Sequence, residues 1–387
     1  MTLAVGVVKE VKTGERRVAL TPPGVHVLTD IHIPVYVEES AGVQSGFTNE
    51  AYLKAGAILV SDNSEVWSKA DLIKKVKEPV ASEFRFIQAR HIIFTYLHLA
   101  SPSERPLVDA LVGARATAIG YETIEKENDT PLLRPMSEIA GVLTAYFAGV
   151  FQNHIAFEEG TISGMDEARR LMEKLASQYP SVPEHLPLGS VVVLGGGHVG
   201  LQSSLMAAKM GGKVSLAEIS EVRRQKLREE FRSNRLTIQV FDPQEATMFS
   251  TLLESCDVLI AAVHIAGERA PLIVDSKLLS KISNKKKKII FDIAIDQGGN
   301  VAESYPRDYN DPLYLDSFGN LRFSVTNIPS LCGRGASVAL EEVTLDYTIA
   351  LAGGLKAAIR QYPELETGIN VLDGKVVNHA VWKAHHP

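Results

Sequence analysis

Short apolar runs recur along the first 130 residues, each followed by a polar stretch with helical spacing. Residues 4–8, 31–38, 57–60, 72–77, 91–97 and 116–121 read as strands. Pro34 interrupts the second of these and predicts a place near a sheet edge. Between them, residues 49–55 and 106–112 read as helices, the latter with a proline in its first turn, where no N–H is needed. Residues 137–151 suit a long helix capped by Ser137, with Glu138 in the first turn. A charged helical stretch follows at 166–178, and three prolines within 180–187 break the chain. The alternation then resumes, with strands at 191–194, 213–217, 237–240, 258–263 and 288–295 and helices at 201–210 and 221–232. A last helical run spans 336–351. Strands alternating with helices imply a parallel, helix-covered sheet, hence the α/β class.

Composition narrows the picture without changing it. A chain of 387 residues, 45% hydrophobic and 22% charged, suits two soluble domains with ample cores. A net charge of −6 supplies no attraction for nucleic acid. Two cysteines, Cys256 and Cys332, make neither a disulfide framework nor a cysteine-rich zinc site, and no metal site is expected. The longest apolar-rich run, 139–151, is too short to span a bilayer, and no basic segment precedes the first strand, so no membrane partner is expected and the cytoplasm is the expected location. Four consecutive lysines, 285–288, read as a solvated turn ahead of a strand.

Chemistry enters at residues 191–200, VVVLGGGHVG. Gly195, Gly197 and Gly200 fit G-x-G-x-x-G between an apolar strand and a helix, enclosing His198 and Val199. In that pattern the first glycine makes the tight turn, the second admits a pyrophosphate to the backbone, and the third packs helix on strand. Glu218 ends the next strand at the distance where a carboxylate binds ribose hydroxyls, which favours NAD over NADP. Arg223 and Arg224 follow closely and keep 2′-phosphate binding in view.

Charged residues also emerge from apolar runs at Arg17, Lys77, His98 and Asp296. An arginine and a lysine converging at strand ends would hold a small carboxylate, and a histidine and an aspartate would move protons. Each has a rival reading: Arg17 as a surface or domain-interface arginine, His98 as a core histidine, and Asp292 in place of Asp296. Lys75 is expected to point to solvent or to pair with Glu78, leaving Lys77 as the ligand. His91 and His264 are read as core or surface histidines.

At these motifs the chain resembles the alanine dehydrogenases, relatives of the NAD-binding subunit of proton-translocating transhydrogenase. The resemblance rests on ERRVALTP (15–22), KVKEP (75–79), TYLHLA (95–100), MSEIAG (136–141), the glycine loop and DIAIDQGG (292–299). It implies two α/β domains, a Rossmann-type NAD-binding domain (135–329) inserted in a parallel-sheet substrate domain (1–134 and 330–387). It further implies that Arg17 and Lys77 bind the substrate, that His98 is the acid/base, and that Asp296 activates water beside the nicotinamide. Ser137, Glu218 and the turn at 263–267, beginning with Val263, would line the cofactor site. The implied reaction is reversible oxidative deamination of L-alanine to pyruvate and ammonia, with an amino acid or 2-keto acid as the small-molecule partner and a homo-oligomer, hexamer or dimer, as the assembly. The chain departs from the family at 158–187, where a glycine-rich segment is replaced by a longer charged one, and at 330–337. There Pro329-Ser330-Leu331 resembles saccharopine dehydrogenases, so reductive condensation of an amino acid with a keto acid is the alternative activity. A non-catalytic NAD-binding sensor is the other, though it would have no need of Arg17, Lys77, His98 and Asp296 together.

Overall fold

The computed structural model describes residues 2–158, 161–179, 186–265 and 269–386. The chain forms two compact units, Met1–Met136 with Ser330–Pro387, and Ser137–Pro329.

In the first unit, Val5–Val7 (β1), Val35–Glu38 (β2), Ile58–Val60 (β3), Leu72–Lys74 (β4), Ile92–Thr95 (β5) and Thr117–Gly120 (β6) form a parallel sheet in the order β6-β5-β4-β1-β2-β3. Strands Ile369–Leu372 and Lys375–Val376 extend it beyond β6 as an antiparallel pair, so the sheet is mixed rather than purely parallel. As Pro34 led one to expect, β2 lies near the sheet edge, between β1 and the edge strand β3. The proline stands just ahead of the strand and offers only its carbonyl, to Val5 N at 2.9 Å, so its missing N–H removes no ladder bond. The core on one face gathers Val66, Trp67, Ile73, Ile93, Leu97, Leu107 and Leu111, all fully or nearly fully buried.

The helix Gly333–Ala352 belongs to this unit and is tied to it by polar contacts. Ser337 Oγ accepts from Val18 N at 2.9 Å, and Glu341 accepts from Thr21 N and Thr21 Oγ1 at the start of the helix Pro22–Asp30. Lys74, completely buried, donates to Thr344 and Thr348 Oγ1 at 2.7 and 2.8 Å; burial pushes this ammonium down to about 7. Lys75 is also completely buried. It neither points to solvent nor pairs with Glu78: it meets Glu83 at 3.0 Å and Glu10 at 3.4 Å, and Glu78 pairs with Lys12 instead. A buried ammonium needs such partners, and a period-2 reading places Lys75 outward only if the sheet has a wet face.

In the second unit, Ala156–Glu158 (β7) and Thr161–Ser163 (β8) form a hairpin of their own. Ser190–Leu194 (β9), Lys213–Ala217 (β10), Gln239–Phe241 (β11), Val258–Ala261 (β12), Ile289–Asp292 (β13), Leu313–Leu315 (β14) and Leu321–Phe323 (β15) form a sheet in the order β11-β10-β9-β12-β13-β15-β14, parallel except for β14. The long helix runs Arg134–His154 rather than 137–151: Pro135 occupies its first turn, so Ser137 lies inside the helix and not at its cap. Its Gly141 sits where a Cβ would meet Val199 O at 2.5 Å, and Ser203 Oγ donates to Gly141 O at 3.0 Å. Phe147 and Phe151 pack with Phe291 and Phe323, the Phe151 and Phe291 rings stacked 5.5 Å apart. The divergent 158–187 segment contains the amphipathic helix Met165–Ser177, whose Ala168, Met172, Leu175 and Ala176 are buried; residues 180–185 lie outside the described residues. The lysine run is exposed at 285–287, as expected of a solvated segment ahead of a strand, and departs from that reading only at Lys288. Lys286 pairs with Asp257 at 2.5 Å, and Lys288 is buried with Nζ donating to the carbonyls of Glu254, Cys256 and Lys286, where the last carbonyls of the helix Ala246–Ser255 favour a cation.

Candidate active site

Both sheets reverse their strand order once: between β1 and β4 in the first unit, between β9 and β12 in the second. Ligands of open α/β sheets bind outside the carboxyl ends of strands at such points. Arg17, Lys77 and His98 follow β1, β4 and β5 in the chain, and the glycine loop, Glu218, Val263 and Asp296 follow β9, β10, β12 and β13.

In the first unit Lys74 of β4 is in register with Phe94 of β5, so Lys77 and His98 emerge three and four residues past one registered pair. The structure brings them together: Lys77 Nζ lies 3.3 Å from His98 Nε2. Since an ammonium only donates, Nε2 is the acceptor, and the neutral ring carries its proton on Nδ1. The electrostatics agree. The surrounding protein mass, then the charges of Lys77, Lys12 and Arg17, hold His98 well below the ordinary imidazole value. The ring still reaches solvent, which makes it no core histidine. It lies nearly parallel to the Tyr96 ring at a centroid distance of 6.2 Å, and Tyr96 OH donates to Leu132 O. Lys77 is itself lowered, first by burial and then by Arg17, so all three cations share one neighbourhood.

Arg17 is buried at 3% exposure, not a surface residue. Its Nε and Nη2 meet the two carboxylate oxygens of Glu15 at 2.7 and 2.6 Å, and Nη1 contacts Met136 Sδ at 3.0 Å. Glu15 thus fixes the plane of the guanidinium. It escaped the sequence reading because a charged neighbour at i−2 in a loop carries no periodic signal. Two further carboxylates escaped it as well. Glu10 Oε1 accepts from Val76 N at 2.6 Å, just before Lys77, and Glu122 accepts from the N–H groups of Leu97 and His98. Burial pushes Glu10 up to about 7. His91, by contrast, is wholly buried against Trp67 and lowered to about 4 by burial and Arg90, a structural residue.

In the second unit Gly195 follows β9 at φ +96°, a conformation that favours glycine. A Cβ at Gly200 would meet Gly195 O at 1.8 Å, so strand exit and helix start touch backbone to backbone. A Cβ at Gly197 would meet nothing within 4 Å, which leaves the backbone approachable. The helix starts at His198, earlier than the apolar spacing indicated, with Gly197 as an N-cap offering no side-chain acceptor. Its first N–H groups therefore suit a pyrophosphate, and a dinucleotide fits this cradle. Glu218 lies beside it, accepting from Gly196 N at 2.9 Å and Ser220 N at 2.8 Å. Arg224 is buried and spent on Asp242, Glu221 and the carbonyls of Glu218 and Ile219, while Arg223 Nε donates to Gly196 O. Across the switch point, Val263 is held by Asn300, whose amide bonds both its N–H and its carbonyl. Residues 266 and 267 of that turn lie outside the described residues, and His264 is exposed. Asp292 is buried and accepts from Asn300 N, Val301 N and Ser304 Oγ; Asp296 is exposed on the 3₁₀ turn Ile293–Gln297 that replaces the end of the expected strand.

The family model described as "Alanine dehydrogenase/PNT, N-terminal domain" matches residues 6–140, and its C-terminal counterpart matches 166–379. The chain is 35% identical to an alanine dehydrogenase of Methanococcus maripaludis over 387 residues, covering 99% of this chain and 96% of that one. It is 33% identical to alanine dehydrogenase 1 of Staphylococcus aureus, covering 99% and 97%. A solved L-alanine dehydrogenase superposes with a TM-score of 0.83 at 34% identity over 99% of both chains. A transhydrogenase from Sinorhizobium meliloti shares the fold, with a TM-score of 0.74 at 19% identity over 97% of this chain and 99% of that one.

Proposed function

Because the chain belongs to the alanine dehydrogenase/PNT family, we propose that it is an NAD-dependent enzyme interconverting L-alanine with pyruvate and ammonia. The observation that carries this reading is the Lys77–His98 contact at 3.3 Å with the Arg17 charge acting on both. That arrangement suits a small anion whose amino group, and the water that later replaces it, must lose and gain protons.

Arg17, with the plane of its guanidinium fixed by Glu15, binds the substrate carboxylate. Lys77 donates to and polarises the carbonyl oxygen on the pyruvate side. His98, neutral in the free enzyme, takes a proton from the amino group. Loss of hydride from Cα then leaves an iminium, to which water adds, and the resulting carbinolamine collapses to pyruvate and ammonia. His98 moves the protons of these last steps, and Asp296 orients the water. NAD, held by Gly195, Gly197, His198, Val199, Gly200, Glu218, Val263 and Ser137, supplies the hydride acceptor.

Incubating the protein with NAD and an amino-acid panel, then with NADH and pyruvate plus ammonia or plus amino acids, tests the reading. Turnover with alanine and with ammonia is expected. Turnover only when an amino acid replaces ammonia would favour reductive condensation, and NADH binding without turnover a sensor. Glu218 should exclude NADP through like-charge repulsion with the 2′-phosphate. Comparable kcat/KM for NADP and NAD would instead make Arg223 a phosphate ligand. Among the described residues no helix is long and apolar enough to cross a membrane. The resemblance supports a cytoplasmic homo-oligomer, a hexamer or a dimer, which light scattering on the purified protein would measure.

A further inference from the structure

We propose that Glu122 is a positioning residue for His98: its carboxylate holds the His98 backbone in the left-handed conformation that presents the imidazole to Lys77. His98 has φ +51°, a left-handed conformation uncommon for a residue with a Cβ. Glu122 supplies the constraint from the neighbouring strand. Thr95 of β5 is in register with Gly120 of β6, and two residues past Gly120 the Glu122 side chain turns back across the strand ends. Its Oε1 accepts from His98 N at 2.7 Å and Leu97 N at 3.1 Å, and Oε2 accepts from Leu97 N at 3.2 Å. Gly120 makes room, since a Cβ there would meet Glu122 Oε2 at 3.2 Å and Asn370 Nδ2 at 2.5 Å. On the far side the loop is closed by Ser101 N donating to His98 O at 3.0 Å, and by His385 Nε2 against Leu99 O at 2.7 Å. The two peptide N–H groups entering His98 therefore share one acceptor, and that acceptor decides where the ring points. The groups facing the ring are Lys77, Lys12, Arg17 and the Tyr96 ring, and Glu122 reaches the histidine through its backbone.

The kinetic arm of the test rests on the alanine dehydrogenase reading; the spectroscopic arm does not. Glu122→Ala, Glu122→Gln and Glu122→Asp are compared in the full-length protein. Steady-state kinetics use alanine and NAD, and the His98 ring is titrated by ¹H–¹⁵N NMR, assigned against His98→Ala. In Glu122→Ala the freed loop swings the ring away from the cations, so kcat falls about 10²-fold, the cost of roughly an ångström of misplacement. The KM for NAD stays unchanged, and the His98 titration rises toward the ordinary value. Glu122→Gln keeps an acceptor oxygen at the Oε1 position and retains kcat within about a factor of ten. Glu122→Asp keeps the charge but is a methylene short of both N–H groups and loses kcat as alanine does. Wild-type kcat and an unmoved titration in a folded Glu122→Ala overturn the proposal. So does a Glu122→Gln as damaged as Glu122→Ala, since charge rather than the backbone clamp would then matter. Should Glu122→Ala not fold, the order of Gln above Asp supports the clamp and the reverse order overturns it. A wild-type protein without alanine turnover would refute the functional reading, and the titrations of Glu122→Gln and Glu122→Asp would still decide the clamp.

Discussion

His98→Ala lowers kcat for alanine deamination by about 10²–10⁴-fold, the range a positioned proton-transfer group contributes. NADH binding survives, because the glycine loop, Glu218 and Val263 belong to the other unit. The variant also loses the acid limb of the pH profile, and the sign of that limb follows from the site. The surrounding protein mass and the charges of Lys77, Lys12 and Arg17 disfavour the imidazolium, so the wild-type ring stays neutral through neutral pH. The fall in kcat/KM on acidification should therefore lie below pH ~6.5, the ordinary imidazole value. Stability carries the same sign: the unfolded chain takes up a proton near pH ~6.5 that the folded ring refuses, so this group's contribution declines as pH falls through that value. Circular dichroism and an NADH titration accompany the kinetics. A folded, NADH-binding His98→Ala with nearly wild-type turnover would rule the acid/base role out.

Arg17→Ala raises the KM for alanine by about 10–100-fold, as expected for losing hydrogen bonds to a charged group worth about 1.5–3 kcal/mol. The KM for NAD should not change. A second effect comes from Glu15, whose side chain is fully buried against the guanidinium. Removing Arg17 breaks this buried ion pair, which costs about 3–5 kcal/mol. Stability and substrate affinity would then fall together for different reasons. The double variant Glu15→Gln/Arg17→Ala separates them: it regains much of the lost melting temperature while KM stays high. Arg17→Lys keeps the charge but cannot span both Glu15 oxygens, and should fall between. Recovery of KM along with stability in the double variant would make Arg17 a structural residue only.

The parts of this molecule legible in its sequence are those whose physics is local. Residues 191–200 show strand, glycines and helix in one short stretch, and Glu218 one βα unit later; the structure joins them by the Gly196 N–Glu218 bond. Lys77, His98 and Arg17 were legible as charges leaving apolar runs, and their convergence follows from the strand order. What was illegible is set by pairings distant in the chain. The antiparallel strand Ile369–Leu372 lies beside β6, some 250 residues away in sequence, and no hairpin signal announces it. Lys75 looks solvent-bound until Glu10 and Glu83, from two other segments, are placed around it. Ser137 has the chemistry of a cap, but Pro135 had already begun the helix. Glu15 and Glu122 act on backbone and guanidinium groups, and a carboxylate in a loop gives no pattern from which such a partner could be inferred.

The distribution of the first unit over both ends of the chain orders its assembly on the ribosome. Residues Ser137–Pro329 are contiguous and can close their sheet soon after emerging. The first segment, made earlier, must wait, because Val18 and Thr21 near Arg17 bond to Ser337 and Glu341, and the Val18–Ser337 contact spans 319 positions. At about 5–20 residues per second, translation alone imposes tens of seconds between synthesis of Arg17 and arrival of the helix that packs behind it. The nascent six-stranded sheet, with the β6 edge still lacking its antiparallel neighbour, is therefore the species a chaperone would meet.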